Sequence, residues 1–278
     1  MISPHPCPVC QNVQNNCLQD QILNVFICAS CNHVFSESIV DAVDIYNPDY
    51  FLIEHKNWFL YPNIELFGKI ESFIKDNSSI ANLSVLDVGC GRGDLLNFLH
   101  KDNPLWCLSG IDISENKGQD IIYISGNFSS YEFGEKFNII TGLMVIEHVV
   151  DPVLFVRKLF DVLYSDGKVF LVTINSDSVM YRLANILRRL GWRAPYERLY
   201  HHHHLQHFNN ASLRNLMEKN GFNVIKQYNH NFPFSAIDVP SVPLIFKLAY
   251  KYVIIGLFII TNFFGGGVNQ TIVCKKNI

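Results

Sequence analysis

Short apolar runs of strand length alternate along the chain with stretches in which apolar residues return every three or four positions. Runs ending at Val88, Asp112, Ile124, Leu143 and Ile174, with Phe222 to Tyr228 and Gln270 to Lys275 further on, read as seven strands. Periodic stretches at Ile64 to Ile74, Asp94 to Leu99, Val153 to Leu163 and Ala211 to Asn220 read as helices that bury one face. Strands separated by helices predict an α/β fold in which a doubly wound sheet carries helices on both faces.

The stretch from Val85 to Asp94 anchors this pattern, because it runs from a buried strand through a glycine-dense turn into a helix. Gly89, Gly91 and Gly93 permit positive φ and leave room for a ligand against the backbone, while the N–H groups at the helix start face the crevice above the sheet. A dinucleotide fingerprint of the form G-x-G-x-x-G would need glycine at 94, where Asp94 stands, so a hydride-transfer cofactor is disfavoured. The next strand ends in Asp112, about twenty residues beyond the turn, where such folds hydrogen-bond a ribose diol.

With these residues the chain resembles the class I S-adenosylmethionine-dependent methyltransferases, whose first motif looks like Val85-Leu86-Asp87-Val88-Gly89-Cys90-Gly91-Arg92-Gly93 here. The resemblance continues through Gly110 to Ser114, Phe137 to Ile140, Val145 to Pro152 and Asp166 to Lys168, covering roughly residues 83 to 228. It implies a seven-stranded Rossmann-like sheet whose last strand lies antiparallel beside the sixth. It also implies S-adenosylmethionine bound by Asp87, Gly89, Cys90, Gly91 and Gly93 at its methionine end, by Asp112 and Ile113 at the ribose, and by Asn127 and Phe128 near the adenine. Gly126-Asn127 is also ordinary turn chemistry, and the two readings stand side by side.

The carboxyl end of the fourth strand delivers Leu143, Met144, Glu147 and His148 to the crevice. His148 is the best-placed base for an acceptor hydroxyl, its ordinary pKa lying near neutrality, with His204 and His207 as further candidates. A bracing role for Glu147 and His148 is the alternative. The segment is similar to the E-x-x-E-H-x-x-x-P pattern of ubiquinone-pathway O-methyltransferases, where acids and histidine can hold a divalent metal. Met144 replaces the first acid here, which argues against a metal at this place.

Before this domain, Cys7-Pro8-Val9-Cys10 and Cys28-Ala29-Ser30-Cys31 form two C-x-x-C knuckles at the spacing of a four-cysteine zinc ribbon. Cys7, Cys10, Cys28 and Cys31 would close a structural site without an open position, and His33 reads as a turn residue. The expected organisation is a ribbon over residues 1–40, a helical lid or linker over 41–80 carrying Tyr46, Tyr50, Phe51, Trp58, Phe59 and Tyr61, and the methyltransferase domain over 81–278. Two inserts interrupt that domain, at 178–208 and 231–268. The first carries Arg182, Arg188, Arg189, Arg193 and Arg198 followed by four histidines, which suits an anionic acceptor or a solvated helix face. The second contains an apolar stretch at 242–264 that Lys247 and Lys251 interrupt. Its charge-free part is too short to span a bilayer, and a buried helical hairpin is preferred over a helix resting on a membrane.

Of the 278 residues, 49% are hydrophobic, enough for a sizeable core, and the net charge is −3. Residues 1–40 contain no Lys or Arg, which disfavours the ribosomal RNA methyltransferases that place a zinc finger before the same fold. The amino terminus lacks a secretory pattern, so a reducing cytoplasm is expected. The function expected is methyl transfer to a small acceptor, most simply a hydroxyl of a sugar, a nucleotide-linked sugar or another metabolite. An RNA base methyltransferase and a binding protein of the same fold without turnover are the rivals.

Overall fold

The computed structural model describes residues 6–12, 16–37, 57, 60–78, 80–114, 120–201, 203–237 and 243–277. Three short strands come first: β1 (Asn16–Asp20), β2 (Val25–Cys28) and β3 (Val34–Ser36). Helix α1 (Ile64–Asp76) follows, its start capped by the Asn63 side chain accepting from the Leu66 N–H. The helices predicted from periodicity at Asp94 and Pro152 form as α2 (Asp94–Asp102) and α3 (Pro152–Val162). Asp151 caps α3 by accepting from the Leu154 N–H, and Pro152 occupies its first turn.

The main sheet holds β4 (Ser84–Val88), β5 (Cys107–Asp112), β6 (Ile122–Ser125), β7 (Phe137–Leu143), β8 (Leu163–Ile174), β10 (Phe222–His230) and β11 (Asn269–Lys276) in the order β10-β11-β8-β7-β4-β5-β6. The pairs from β8 to β6 are parallel, whereas β11 runs antiparallel to both β8 and β10. The seven-stranded sheet with its antiparallel last strand is thus as the sequence implied. Chain order reverses between β4 and β7, and this switch point opens a crevice at the carboxyl ends of those strands. The strand expected to end at Ile174 begins directly after α3, at Leu163, and takes in Ser165 to Gly167.

On one face Leu66, Ile70 and Ile74 of α1 pack with Leu95, Leu96 and Leu99 of α2. On the other, Phe155, Val156 and Leu159 of α3 pack with Leu213, Leu216 and Met217 of α6 (Asn210–Lys219). Between β8 and α6 lie α4 (Val179–Arg189), α5 (Ala194–Leu199) and β9 (Gln206–His207). β9 pairs with β3, so the amino-terminal sheet is completed by a strand about 170 residues away, and the ribbon is sewn onto the larger domain.

The 242–264 stretch differs from expectation. It forms one helix, α7 (Leu244–Phe264), ended by Gly265 at φ 77°, and not a hairpin. Nor is it buried: within Lys247–Phe264 only 17% of positions are, and the segment is long and apolar enough to cross a membrane by length and composition. Of the residues proposed for an aromatic lid, Tyr46, Tyr50, Phe51, Trp58 and Phe59 lie outside the described residues, while Tyr61 is half exposed just before α1 and borders a small cavity beside the glycine turn.

Candidate functional site

The turn after β4 is shaped by three left-handed glycines, Gly89 (φ 67°), Gly91 (φ 51°) and Gly93 (φ 76°). Two of them have no room for a side chain. A Cβ on Gly89 would meet the Val145 side chain at 2.8 Å, and one on Gly93 would fall onto the Tyr123 ring. The Gly89 N–H donates to the Ile111 carbonyl at 2.8 Å, which draws the turn over the end of β5. There Asp112 accepts from the Gly91 N–H through Oδ2 at 2.9 Å, and through Oδ1 from the Ser114 N–H and hydroxyl at 2.8 and 2.6 Å. Three of about four acceptor positions on the carboxylate are used, leaving one on Oδ2.

Asp87, in the middle of β4, is wholly buried and accepts the Thr141 hydroxyl on Oδ1. Burial pushes its carboxyl up to about 7, against the Thr141 hydrogen bond and helped by the charge of Asp112. Cys90 packs its sulfur where a Cβ on Gly110 would stand, which fixes the back of the turn. Met144, just past β7, is held at φ 57° with its N–H bonded to the Val172 carbonyl. Positive φ is uncommon for such a side chain, and this strained residue sits where the cavities meet.

A cavity of about 1610 Å³ opens over these strand ends, larger than the roughly 300–1,000 Å³ of an ordinary small-molecule site. Gly89, Gly91, Asp112, Ile113, Asn127, Phe128 and Leu143 line its inner end. A smaller cavity of about 130 Å³ adjoins it, touching Asp87, Cys90 and the start of α2, with Gly89, Gly91, Leu143 and Met144 in both walls. Of the residues expected from sequence to hold the cofactor, all but Gly93 line one or other of these two adjoining cavities. The Asn127 side chain accepts the Ser129 N–H at 2.9 Å, so its turn role is realised while it still borders the cavity. Phe128 is mostly core, stacked edge-on against Phe155.

Glu147 and His148 lie on a short 3-10 turn after β7, and both line the large cavity together with His204. Glu147 is fully buried, with Oε2 receiving the Thr173 hydroxyl at 2.8 Å and Oε1 without a hydrogen-bond partner. Burial pushes this carboxyl up to about 7, against hydrogen bonds from its own backbone N–H and from Thr173. His148 Nδ1 lies 2.8 Å from the His203 carbonyl. A carbonyl can only accept, so Nδ1 carries the proton and Nε2 keeps its lone pair. The His148 and His204 rings meet edge to face with centroids 4.9 Å apart. Glu147, His148 and His204 offer one ligand atom each within 4.8 Å of one another, so they could hold a divalent ion although Met144 lacks a carboxylate. The sequence argument against such a site rested on the missing acid and did not foresee His204 as third donor.

Several other expectations are corrected. His207 lies in β9, wholly buried, bonded through Nε2 to the Ser36 hydroxyl and absent from the cavity wall; burial drives its pKa down to about 3. It ties β9 to the ribbon and is no base. His33, expected as a turn residue, is buried where the chain leaves the second knuckle, with Nε2 2.9 Å from Gln206 Oε1 and its ring against Phe208. Arg193 and Arg188 are taken by Asp20 of β1, at 2.9 and 3.2 Å, so neither is free to grip an anionic acceptor. The first insert does line the cavity, through Leu183 and Leu187 of α4 and Leu199 of α5. Sequence reasoning missed the opposite wall, where Tyr250, Val253, Ile254 and Leu257 of α7 complete an apolar enclosure. Their spacing was the only available signal.

In the ribbon, the sulfurs of Cys7 and Cys31, and of Cys10 and Cys28, stand 3.6 Å apart, and all four lie within 4.8 Å of one another. A tetrahedral zinc with bonds of about 2.3 Å has sulfur–sulfur edges of about 3.8 Å, so the four fit that ion. Both knuckles turn back through backbone bonds, Gln11 N–H to the Cys7 carbonyl and Asn32 N–H to the Cys28 carbonyl.

A doubly wound sheet with this glycine turn and strand-end acid defines a methyltransferase-type α/β protein. The chain belongs to the methyltransferase-domain family, whose model matches residues 63–227. It is 32% identical over 128 residues to the ubiquinone biosynthesis O-methyltransferases of Pseudomonas entomophila (strain L48) and Pseudomonas putida (strain W619). Those matches cover 41% of this chain, which spans about half the length of these curated relatives, 54%. Among solved structures, the plantazolicin methyltransferase BpumL in complex with SAH shares the fold at a TM-score of 0.55 and 17% identity, over 84% of this chain and 92% of that one. An S-adenosylmethionine-dependent methyltransferase from Archaeoglobus fulgidus does so at 0.52 and 19%, over 82% and 99%.

Proposed function

We propose that this protein transfers a methyl group from S-adenosylmethionine to an oxygen of a small acceptor that carries a substantial apolar part. The observation that carries the reading is the sharing of one cavity by Gly89 and Gly91 of the turn, Asp112 and the Glu147, His148 and His204 group. The methionine end of the cofactor would lie over the glycine turn, its ribose at the remaining acceptor position of Asp112 and its adenine beside Asn127 and Phe128. Methyl transfer is an in-line displacement at a sulfonium carbon. The protein has chiefly to hold the acceptor oxygen about 3 to 3.5 Å from that carbon and accept its proton.

His148 is suited to the second task, because the His203 carbonyl fixes Nδ1 as the protonated nitrogen and leaves Nε2 basic. The apolar walls of α4 and α7 support an acceptor with more apolar surface than a sugar presents. A second reading is favoured by the three-donor group: a divalent ion held by Glu147, His148 and His204 would polarise the acceptor oxygen. In the ribbon, zinc on Cys7, Cys10, Cys28 and Cys31 would be structural.

Transfer of a labelled methyl group from S-adenosylmethionine to a panel of phenols, hydroxylated lipids and sugars tests the reading. Phenolic or lipid hydroxyls should be labelled, and His148→Gln should lower kcat by about 10²-fold or more while cofactor binding stays as in wild type. Labelling of RNA bases in place of all these acceptors, or cofactor binding without any transfer, would replace it with one of the rivals.

A further inference from the structure

We propose that α7, together with the exposed side of α4, docks this protein onto an anionic lipid surface. The two helices pack on each other through Tyr181 and Ala184 of α4 and Ile254 and Phe258 of α7. Outside that seam α7 presents apolar side chains to solvent. Ile245, Tyr252, Ile259 and Phe263 follow one helical face, opposite the buried Ile254, Phe258 and Thr261, and Phe263 and Phe264 are 83% and 85% exposed. At the other end of the seam the Val179 N–H meets the Gly266 carbonyl, so the α4 start, with Val179 exposed, neighbours these phenylalanines. Scattered exposed apolar residues are normal in a folded protein, but a contiguous apolar helix face marks an interaction site.

Charge selects the occupant. Residues 178–199 and 243–264 hold seven cations and a single acid, Glu197, in a chain whose net charge is −3. Arg188 and Arg193 are committed to Asp20, whereas Arg182, Arg189, Lys247 and Lys251 are exposed. Lys247 and Lys251, seven positions before Ile254 and Phe258, stand toward the seam side of α7. The exposed apolar face, on a helix of membrane-spanning length and composition, therefore has its nearest exposed cations in Arg182 and Arg189 of the adjoining α4. This pairing matches a bilayer carrying anionic headgroups, each nearby cation adding about 1 kcal/mol.

The helix rests on the bilayer and does not cross it. Its Ile254, Phe258 and Thr261 stripe stays packed on the protein, and the Asn231 side chain bonds the Phe258 carbonyl, Thr261 and Asn262. Gly265 then returns the chain within a few residues to β11 in the sheet. Val253 is both 59% exposed and part of the cavity wall, so the docked face borders the acceptor cavity.

Flotation of the zinc-replete full chain with vesicles tests this without any cofactor or acceptor, so its outcome is separate from that of the proposed activity. Vesicles of phosphatidylcholine with about 30% phosphatidylglycerol should carry the protein up, and pure phosphatidylcholine should carry markedly less. Phe263→Ser with Phe264→Ser should lower partitioning about tenfold or more, and Arg182→Glu with Arg189→Glu should abolish the anionic preference, with thermal melts like wild type. In a chain whose other tryptophans are replaced by phenylalanine, emission from Trp192, 60% exposed on the cavity rim, should shift to the blue on vesicle addition. Failure to float on either vesicle, or flotation that both double variants leave unchanged, overturns the proposal. So does a wild-type dimer that the phenylalanine variant dissociates while vesicles are ignored.

Discussion

Replacing Asp112 by alanine removes one carboxylate from the end of β5, and the geometry sets the size of the effect. Two of its acceptor positions serve Ser114 and a third serves the Gly91 N–H, so one position faces a ligand. A hydrogen bond to a charged group contributes about 1.5–3 kcal/mol, so Asp112→Ala should weaken S-adenosylhomocysteine binding by about 10- to 150-fold. The same substitution also releases the Gly91 N–H, and a loosened turn could weaken binding without any ribose contact. A double-mutant cycle on the ligand separates the two, with calorimetric titration of wild type and Asp112→Ala against S-adenosylhomocysteine and its 2′,3′-dideoxy form. Wild type should lose most of its affinity on deoxygenation, and the variant should lose little more than it already has. Equal losses in both proteins would refute the ribose contact and leave Asp112 as a support for the turn.

Three more outcomes follow from the geometry. Cys28→Ser should reduce bound zinc from one ion per chain, lower the melting temperature, and speed hydrogen exchange at Gln206 and His207, because β9 pairs with the ribbon strand β3; full zinc occupancy in the variant would contradict a four-thiolate site. Asp87 holds its proton up to about pH 7 when folded, against an ordinary 3.8, so the folded state binds the extra proton between those values. Stability should therefore fall as pH rises from about 4 to about 7, by up to roughly 1.4 kcal/mol per unit, and stay level above. Urea unfolding of Asp87→Asn across that range should lack this part of the slope, and a curve parallel to wild type would refute it. Asp20→Ala leaves Arg188 and Arg193 without their shared, buried carboxylate and takes the acceptor from the N–H groups of Ile22 and Leu23, a loss of about 3 kcal/mol. Arg193→Ala should likewise destabilise the chain while leaving acceptor KM unchanged, and a raised KM with full stability would restore the anion-binding role.

What was legible beforehand was whatever depends on local chain chemistry. A period of two or of three to four residues, three glycines that must take positive φ, an acid at the end of the next strand and two C-x-x-C knuckles are properties of short segments. They determined the sheet, the cofactor turn and the four-thiolate cluster. The tertiary structure decided matters that hinge on residues brought together from far along the chain. Asp20 claims Arg193 across 173 positions, His33 meets Gln206 across 173, and His204 joins Glu147 and His148 to make a three-donor group. No pattern within any one segment could show that a cationic stretch was half consumed by a buried aspartate. Nor could hydropathy place α7: the same apolar run would suit a core or a surface, and its packing on α4 and on Asn231 and Phe232 left most of its face in solvent. Periodicity tells which side chains share a face, while exposure depends on what the rest of the chain places opposite it.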